Sequence, residues 1–137
     1  MSLDTNESLV RTILSSGDIH ILAFVKTWCI DTPTWCFSIS DYYIVKLYGI
    51  VTTSKGRDKR GIILFIKRGV PISSVFTELT DFGEYMSLVV NDNFSLVVFY
   101  RVTNRTIEYY NGMLELFTPL LNSTLPYLFL GDFNFQV

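Results

Sequence analysis

The feature that most constrains the fold is a series of short apolar runs, none of which is long. Each run is rich in β-branched and aromatic residues, as buried strands are. Polar or glycine-containing segments separate the six runs, which cover residues 20–27, 42–49, 62–68, 85–90, 95–102 and 127–130. Between the fourth and fifth runs, Asn91-Asp92-Asn93 supplies short polar side chains that tolerate left-handed dihedral angles, which predicts a hairpin.

Two segments have a helical period instead. Residues 6–16 place Leu9, Val10, Ile13 and Leu14 on one face, with Asn6 at the N-cap and Gly17 at the exit. Residues 106–121 repeat apolar positions at steps of three and four: Ile107, Tyr110, Leu114, Phe117 and Leu121. The predicted order is α-β-β-β-β-β-α-β, with residues 51–61 as a loop. This order predicts a mixed α/β sheet with helices on one face.

Composition limits the classes of protein to consider. A chain of 137 residues predicts one domain, and its net charge of −2 gives no overall basic field for nucleic acid. Charged residues make up only 18%, below the roughly 25% of ordinary soluble domains, which suggests a missing interface. The N-terminus has no signal-peptide pattern, and the apolar runs are too short to span a membrane. We therefore expect an intracellular protein.

A basic cluster lies in the segment SKGRDKRG. Its cations are Lys55, Arg57, Lys59 and Arg60. Such a cluster fits either a solvated loop or a loop that contacts phosphates, and the pattern leaves both open. His20 is most simply a strand residue, and Cys29 and Cys36 are most simply free thiols.

The clearest candidate for catalytic side chains is the Asp132-Phe133-Asn134 triplet after the last apolar run. Because strand side chains alternate, Asp132 and Asn134 should project together while Phe133 points into the core. A carboxylate can accept a proton from water, and an amide can donate to an anionic oxygen. The alternative is a strand-ending turn in which both side chains bond the local backbone.

Four stretches in a fixed order resemble the endonuclease/exonuclease/phosphatase superfamily. They are DIHILAFVKTW (18–28), KRGIILFIKRGV (59–70), LVVFYRVTN (96–104) and LPYLFLGDFNF (125–135). Within that group they are most similar to the apurinic-type endonuclease domain of non-LTR retrotransposons. The resemblance implies roughly one half of a four-layer α/β sandwich, with residues 1–137 forming a partial domain that lacks the first strand and the C-terminal half.

The resemblance also implies roles for individual residues in DNA phosphodiester hydrolysis. Asp132 matches the aspartate that orients and deprotonates the attacking water, while Asn134 and Tyr100 match residues that hydrogen-bond the scissile phosphate. The family uses Mg²⁺, and a retroelement origin implies a nuclear location. DNA backbone contacts are expected from basic residues: Lys55, Arg57, Lys59, Arg60 and Arg101.

One position departs from the family in a way that affects the chemistry. Lys26 stands where the family has its metal-binding glutamate, and an ammonium supplies only donors to a site that needs oxygen ligands. We therefore expect a degenerate domain that is inactive alone and exposes an apolar sheet face, through which it self-associates. Two alternatives stay open: an active nuclease or phosphatase completed by sequence or a subunit outside this chain, and a non-catalytic dimerising module.

Overall fold

The computed structural model describes residues 3–27, 32–47, 50–53, 56–59, 61–101 and 106–132. These residues belong to two compact units, Met1–Val70 and Pro71–Val137. In the described ranges, neither α-helix has the length and apolar content that crossing a bilayer requires.

The first unit combines one α-helix with a three-stranded antiparallel sheet and a separate hairpin. The sheet order is β1-β5-β2, and the hairpin pairs β3 with β4. The elements are α1 (Glu7–Leu14), β1 (Ile21–Val25), β2 (Tyr42–Leu47), β3 (Ile50–Thr53), β4 (Gly56–Lys59) and β5 (Ile62–Lys67), with 3₁₀ turns at Leu3–Thr5 and Thr34–Ser38.

The central strand β5 organises the core of this unit. Its five residues from Ile62 to Ile66 are almost completely buried, as expected for an uninterrupted apolar run between two neighbouring strands. Phe65 stacks against the Trp35 indole at 6.3 Å between ring centroids and packs with Val10 and Leu14 of α1. The helix ends as predicted, with Gly17 at φ +72° and its N–H bonded to the Leu14 carbonyl.

The second unit is a four-stranded mixed sheet of order β6-β7-β8-β9 with one helix. The β6–β7 and β7–β8 pairs are antiparallel, whereas β9 runs parallel to β8 because α2 carries the chain back across the sheet. The elements are β6 (Ile72–Leu79), β7 (Gly83–Val90), β8 (Phe94–Arg101), α2 (Ile107–Phe117), a 3₁₀ turn (Thr118–Asn122) and β9 (Tyr127–Asp132).

Aromatic rings fill the core between this sheet and α2. The Phe99 ring meets the Phe117 ring edge-on at 5.2 Å between centroids, and Phe117 meets Phe129 at 5.4 Å. Tyr85 and Met113 complete the buried cluster. The helical period predicts α2 but only partly its buried face: Phe117 packs in the core, whereas Ile107 and Leu114 are exposed and Met113 is buried instead.

The predicted hairpin is confirmed. Asn91 and Asp92 adopt φ values of +52° and +53°, and the Asn93 N–H donates to the Val90 carbonyl at 3.0 Å. Two consecutive left-handed residues match the right-handed twist of the flanking strands, so the turn fixes the β7–β8 register.

Three strands were not predicted from the sequence. The segment 51–61, expected to be a loop, contains most of the β3–β4 hairpin, whose polar residues give no apolar alternation. The third missed strand, β6, carries a bulge between Ser73 and Phe76, with Ser74 at φ +51°. The bulge interrupts the two-residue period that would identify a strand.

The expected bare sheet face is not seen along the central strands β5, β7 and β8. Nearly all of their residues are buried, whichever way the side chain points. In the four-stranded sheet, large exposed apolar side chains are confined to the edge strands: Val75, Phe76 and Leu79 on β6, and Leu128 and Leu130 on β9.

Candidate active site

Tyr100 and Asp132 are direct neighbours on adjacent strands. In the parallel β8–β9 pair, Tyr100 lies opposite Asp132, so both side chains project from the same face of the sheet. Tyr100 is only 4% exposed, while Asp132 is partly buried at the end of β9. The sequence resemblance gave both residues roles in one reaction, and the strand register brings them together.

Gly131 explains how β9 approaches β8 at this point. Its φ is +151°, a region that residues with a Cβ rarely adopt. A Cβ here would also collide with the carbonyl oxygen of Phe99. The glycine before Asp132 therefore allows the close backbone approach that sets Asp132 beside Tyr100.

A third polar residue extends this pair into a row. Glu84 of β7 lies opposite Tyr100 in the antiparallel β7–β8 pair and is 1% exposed. Its neighbour Tyr85 contacts Phe117 of α2, so Glu84 points to the other face, as Tyr100 does. Glu84, Tyr100 and Asp132 thus form what we call the polar row, across three consecutive strands.

Sequence reasoning missed Glu84. The available signal was the position of this carboxylate, between Gly83 and the largely apolar run from Tyr85 to Val90. A charged residue next to a buried strand is unusual and calls for a reason. That signal identifies an unusual residue but not its neighbour, because the neighbour depends on the β7–β8 register.

Arg101 occupies the opposite face from the polar row. Its side chain is 1% exposed, and the guanidinium carbon lies 4.6 Å from the centroid of the Tyr110 ring in α2. This geometry is that of a cation–π contact within the core of the unit. The guanidinium of Arg101, for which a DNA contact is expected, is thus not a surface cation.

Other predicted site residues lie elsewhere or outside the described ranges. Lys26 belongs to the first unit, directly after β1, with a left-handed φ of +55°. Arg57 and Lys59 lie in β4, so the structure brings part of the basic cluster onto a hairpin. The remaining predicted positions, Lys55, Arg60 and Asn134, lie outside the described residues.

The residues present do not fit a magnesium site of the family type. Lys26 stands at the position where the resemblance expects a carboxylate, and its ammonium has no lone pair to offer a cation. Over the described part of the chain, no three or more His, Cys, Asp or Glu residues gather in a way that could hold a metal.

A cavity of about 230 Å³ lies on the α2 side of the same sheet. Its lining includes Glu78, Glu115 and the ring of Tyr85. Burial, and to a lesser extent the negative charge of Glu78, raises the pKa of Tyr85. This cavity opens away from the face that carries Tyr100 and Asp132, and it is separate from the candidate site.

Comparisons with known proteins give a likeness at the level of the fold. No protein-family model matches the chain, and no curated protein matches it either. The crystal structure of TDP2 from Caenorhabditis elegans superposes with a TM-score of 0.61 at 12% sequence identity. The match covers 98% of this chain and 43% of the TDP2 chain, so the chain spans less than half of that protein's length.

At this level of identity the likeness shows the fold alone. TDP2 has the endonuclease/exonuclease/phosphatase fold. Together with the two sheets and the few helices described above, the match confirms the predicted fold class. The chain therefore has a mixed α/β fold that resembles part of the fold of TDP2.

Proposed function

We propose that this chain carries part of a nuclease-type phosphodiesterase site that engages DNA, in a domain derived from a non-LTR retroelement endonuclease. The observation that carries the proposal is the register that sets Tyr100 beside Asp132 at the end of a parallel strand pair. The TDP2-like fold supports the same reading, because the superfamily resemblance gives these two positions related roles.

The chemistry of the pair suits a phosphodiester. The Asp132 carboxylate orients a water molecule, and the Tyr100 hydroxyl donates a hydrogen bond to a phosphate oxygen. A fixed donor directed at developing negative charge contributes about 10²–10³-fold to a reaction rate. Asn134 supplies a second such donor in this proposal.

We further propose that the chain does not hydrolyse DNA by itself. Lys26 is the reason, since an ammonium at the family's glutamate position repels the divalent cation that the family reaction needs. The expected location of a protein with this origin and ligand is the nucleus.

A binding and cleavage experiment on the purified chain tests the site. The probes are supercoiled plasmid and a fluorescent duplex with a tetrahydrofuran abasic analogue, each with Mg²⁺ or with EDTA. We expect duplex binding without cleavage, and about tenfold weaker binding by Tyr100→Phe, because a hydrogen bond to a charged group is lost. Unchanged binding by Tyr100→Phe contradicts the proposed site.

The cleavage arm tests the proposed inactivity separately. Mg²⁺-dependent nicking that disappears in Asp132→Ala shows an active enzyme and overturns the proposal of inactivity. In Lys26→Glu we expect Mg²⁺ binding, measured by calorimetry, to appear. The matched control is Lys46→Glu, which makes the same charge change at the exposed position of β2 and should leave Mg²⁺ binding unchanged.

A further inference from the structure

The polar row contains a carboxylate that the proposed chemistry does not use. Glu84 is 1% exposed and lies directly opposite Tyr100, on the other side from Asp132. Directly opposed residues of an antiparallel pair have Cβ atoms roughly 5 Å apart, so the carboxylate lies close to the tyrosine side chain. Tyr100 is therefore flanked by a carboxylate on each neighbouring strand.

The charges of the row matter for a phosphodiester ligand. A phosphate that accepts a hydrogen bond from Tyr100 approaches both Glu84 and Asp132. The nearest arginine in the sequence, Arg101, lies on the opposite face over Tyr110 and does not supply a positive charge to the row. Asp132 has a proposed role in orienting water that accounts for its negative charge, whereas the proposed chemistry gives Glu84 no role.

We infer that Glu84 is a specificity-determining residue that weakens phosphodiester binding at Tyr100 and Asp132 without abolishing it. The inference rests on the proposed function, because it assumes that a phosphate meets Tyr100. Glu84 acts through its charge, at a distance set by the strand register, and it takes no part in proton transfer.

Two arrangements of the Glu84 carboxylate give the same direction of effect. If the carboxylate repels the phosphate directly, its neutralisation removes that repulsion. If it offsets the charge of a neighbouring cation, its neutralisation leaves that cation available to the phosphate. Coulomb attraction or repulsion over roughly 7 Å near a protein surface, reduced by salt, corresponds to about a tenfold change in affinity.

The test compares Glu84→Gln with a matched charge control. Glu78→Gln removes the same charge from the same sheet, but Glu78 lies opposite Tyr85 and lines the cavity on the α2 side. Affinity for the abasic duplex is measured by fluorescence anisotropy in EDTA at low salt. Circular dichroism and urea unfolding confirm that each variant is folded.

We expect Glu84→Gln to bind about tenfold more tightly than Glu78→Gln, and the gain to disappear in the Glu84→Gln/Tyr100→Phe double variant. Equal affinities of Glu84→Gln and Glu78→Gln, with Tyr100→Phe still weakened, overturn this inference and leave the proposed function intact. Unchanged binding in both Tyr100→Phe and Glu84→Gln overturns both. If Glu84→Gln does not fold, Glu84→Met repeats the comparison with an uncharged side chain of similar length.

Discussion

Replacing Gly131 by alanine tests whether the approach of β9 to β8 depends on this glycine. The substitution adds a single methyl group. That methyl must occupy the space of the Phe99 carbonyl oxygen, and the backbone must keep a φ of +151°, which suits glycine. Because the obstacle is backbone in a paired strand, no side chain can move aside to relieve it.

The magnitude follows from the two separate costs. Holding a residue with a Cβ in this region of φ costs about 2 kcal/mol, and overpacking against the fixed backbone costs about as much again. We therefore expect Gly131→Ala to lower the free energy of unfolding by about 4 kcal/mol, a large part of the stability of a small domain.

The assay is equilibrium urea unfolding, with Gly69→Ala as the control. Gly69 also has a positive φ, +95°, but a Cβ there meets nothing within 4 Å. Gly69→Ala should therefore lose only about 1–2 kcal/mol, the backbone cost. Equal losses in the two variants would refute the reasoning, because the collision with Phe99 would then contribute nothing. Amide exchange along β8 and β9 shows whether the loss is local to that pair.

Three further outcomes are expected. Phe99→Ala should lose about 3–5 kcal/mol in urea unfolding, because the ring is fully buried against Phe117. Arg101→Met should lower the free energy of unfolding by about 1–2 kcal/mol, because the contact with Tyr110 is lost. Its affinity for the duplex should change no more than that of Lys46→Met; a larger loss of affinity would support Arg101 as a DNA contact. Burial and the charge of Glu78 raise the pKa of Tyr85 above 10.0, so the folded state keeps a proton that the unfolded chain loses. The free energy of unfolding should stay constant below about pH 10 and decrease above it, and the decrease should be smaller in Tyr85→Phe. Urea midpoints measured at about pH 9 and about pH 11 for both proteins check this.

Much of the fold could be predicted because its signals are local. The turn residues Asn91 and Asp92 specify the hairpin, and the helical spacing of apolar residues predicts α2, although Leu114 of that set is exposed. The missed strands lack such signals. In β4 the residues are polar, and in β6 the bulge at Ser74 breaks the alternation.

The candidate site was predictable only in part, because it depends on pairings between distant segments. Asp132 and Tyr100 were identified by resemblance, but their adjacency requires the parallel β8–β9 register. Glu84 was missed for the same reason, since its importance depends on lying opposite Tyr100. Arg101 was expected to contact DNA, but the strand alternation turns its side chain away from Tyr100 and toward Tyr110 of α2.

The parallel return of β9 also has a consequence for the order of folding. The β7–β8 hairpin closes through a short turn, an event that takes roughly 1–10 μs in isolated peptides. The residues that pair between β8 and β9 are far apart in sequence, because α2 lies between the two strands. We expect α2 to form and dock before β9 pairs, so the β8–β9 contacts form late. We therefore expect Tyr100 to be in place early and Asp132 to arrive last. Changes at Gly131 should accordingly accelerate unfolding more than they slow folding.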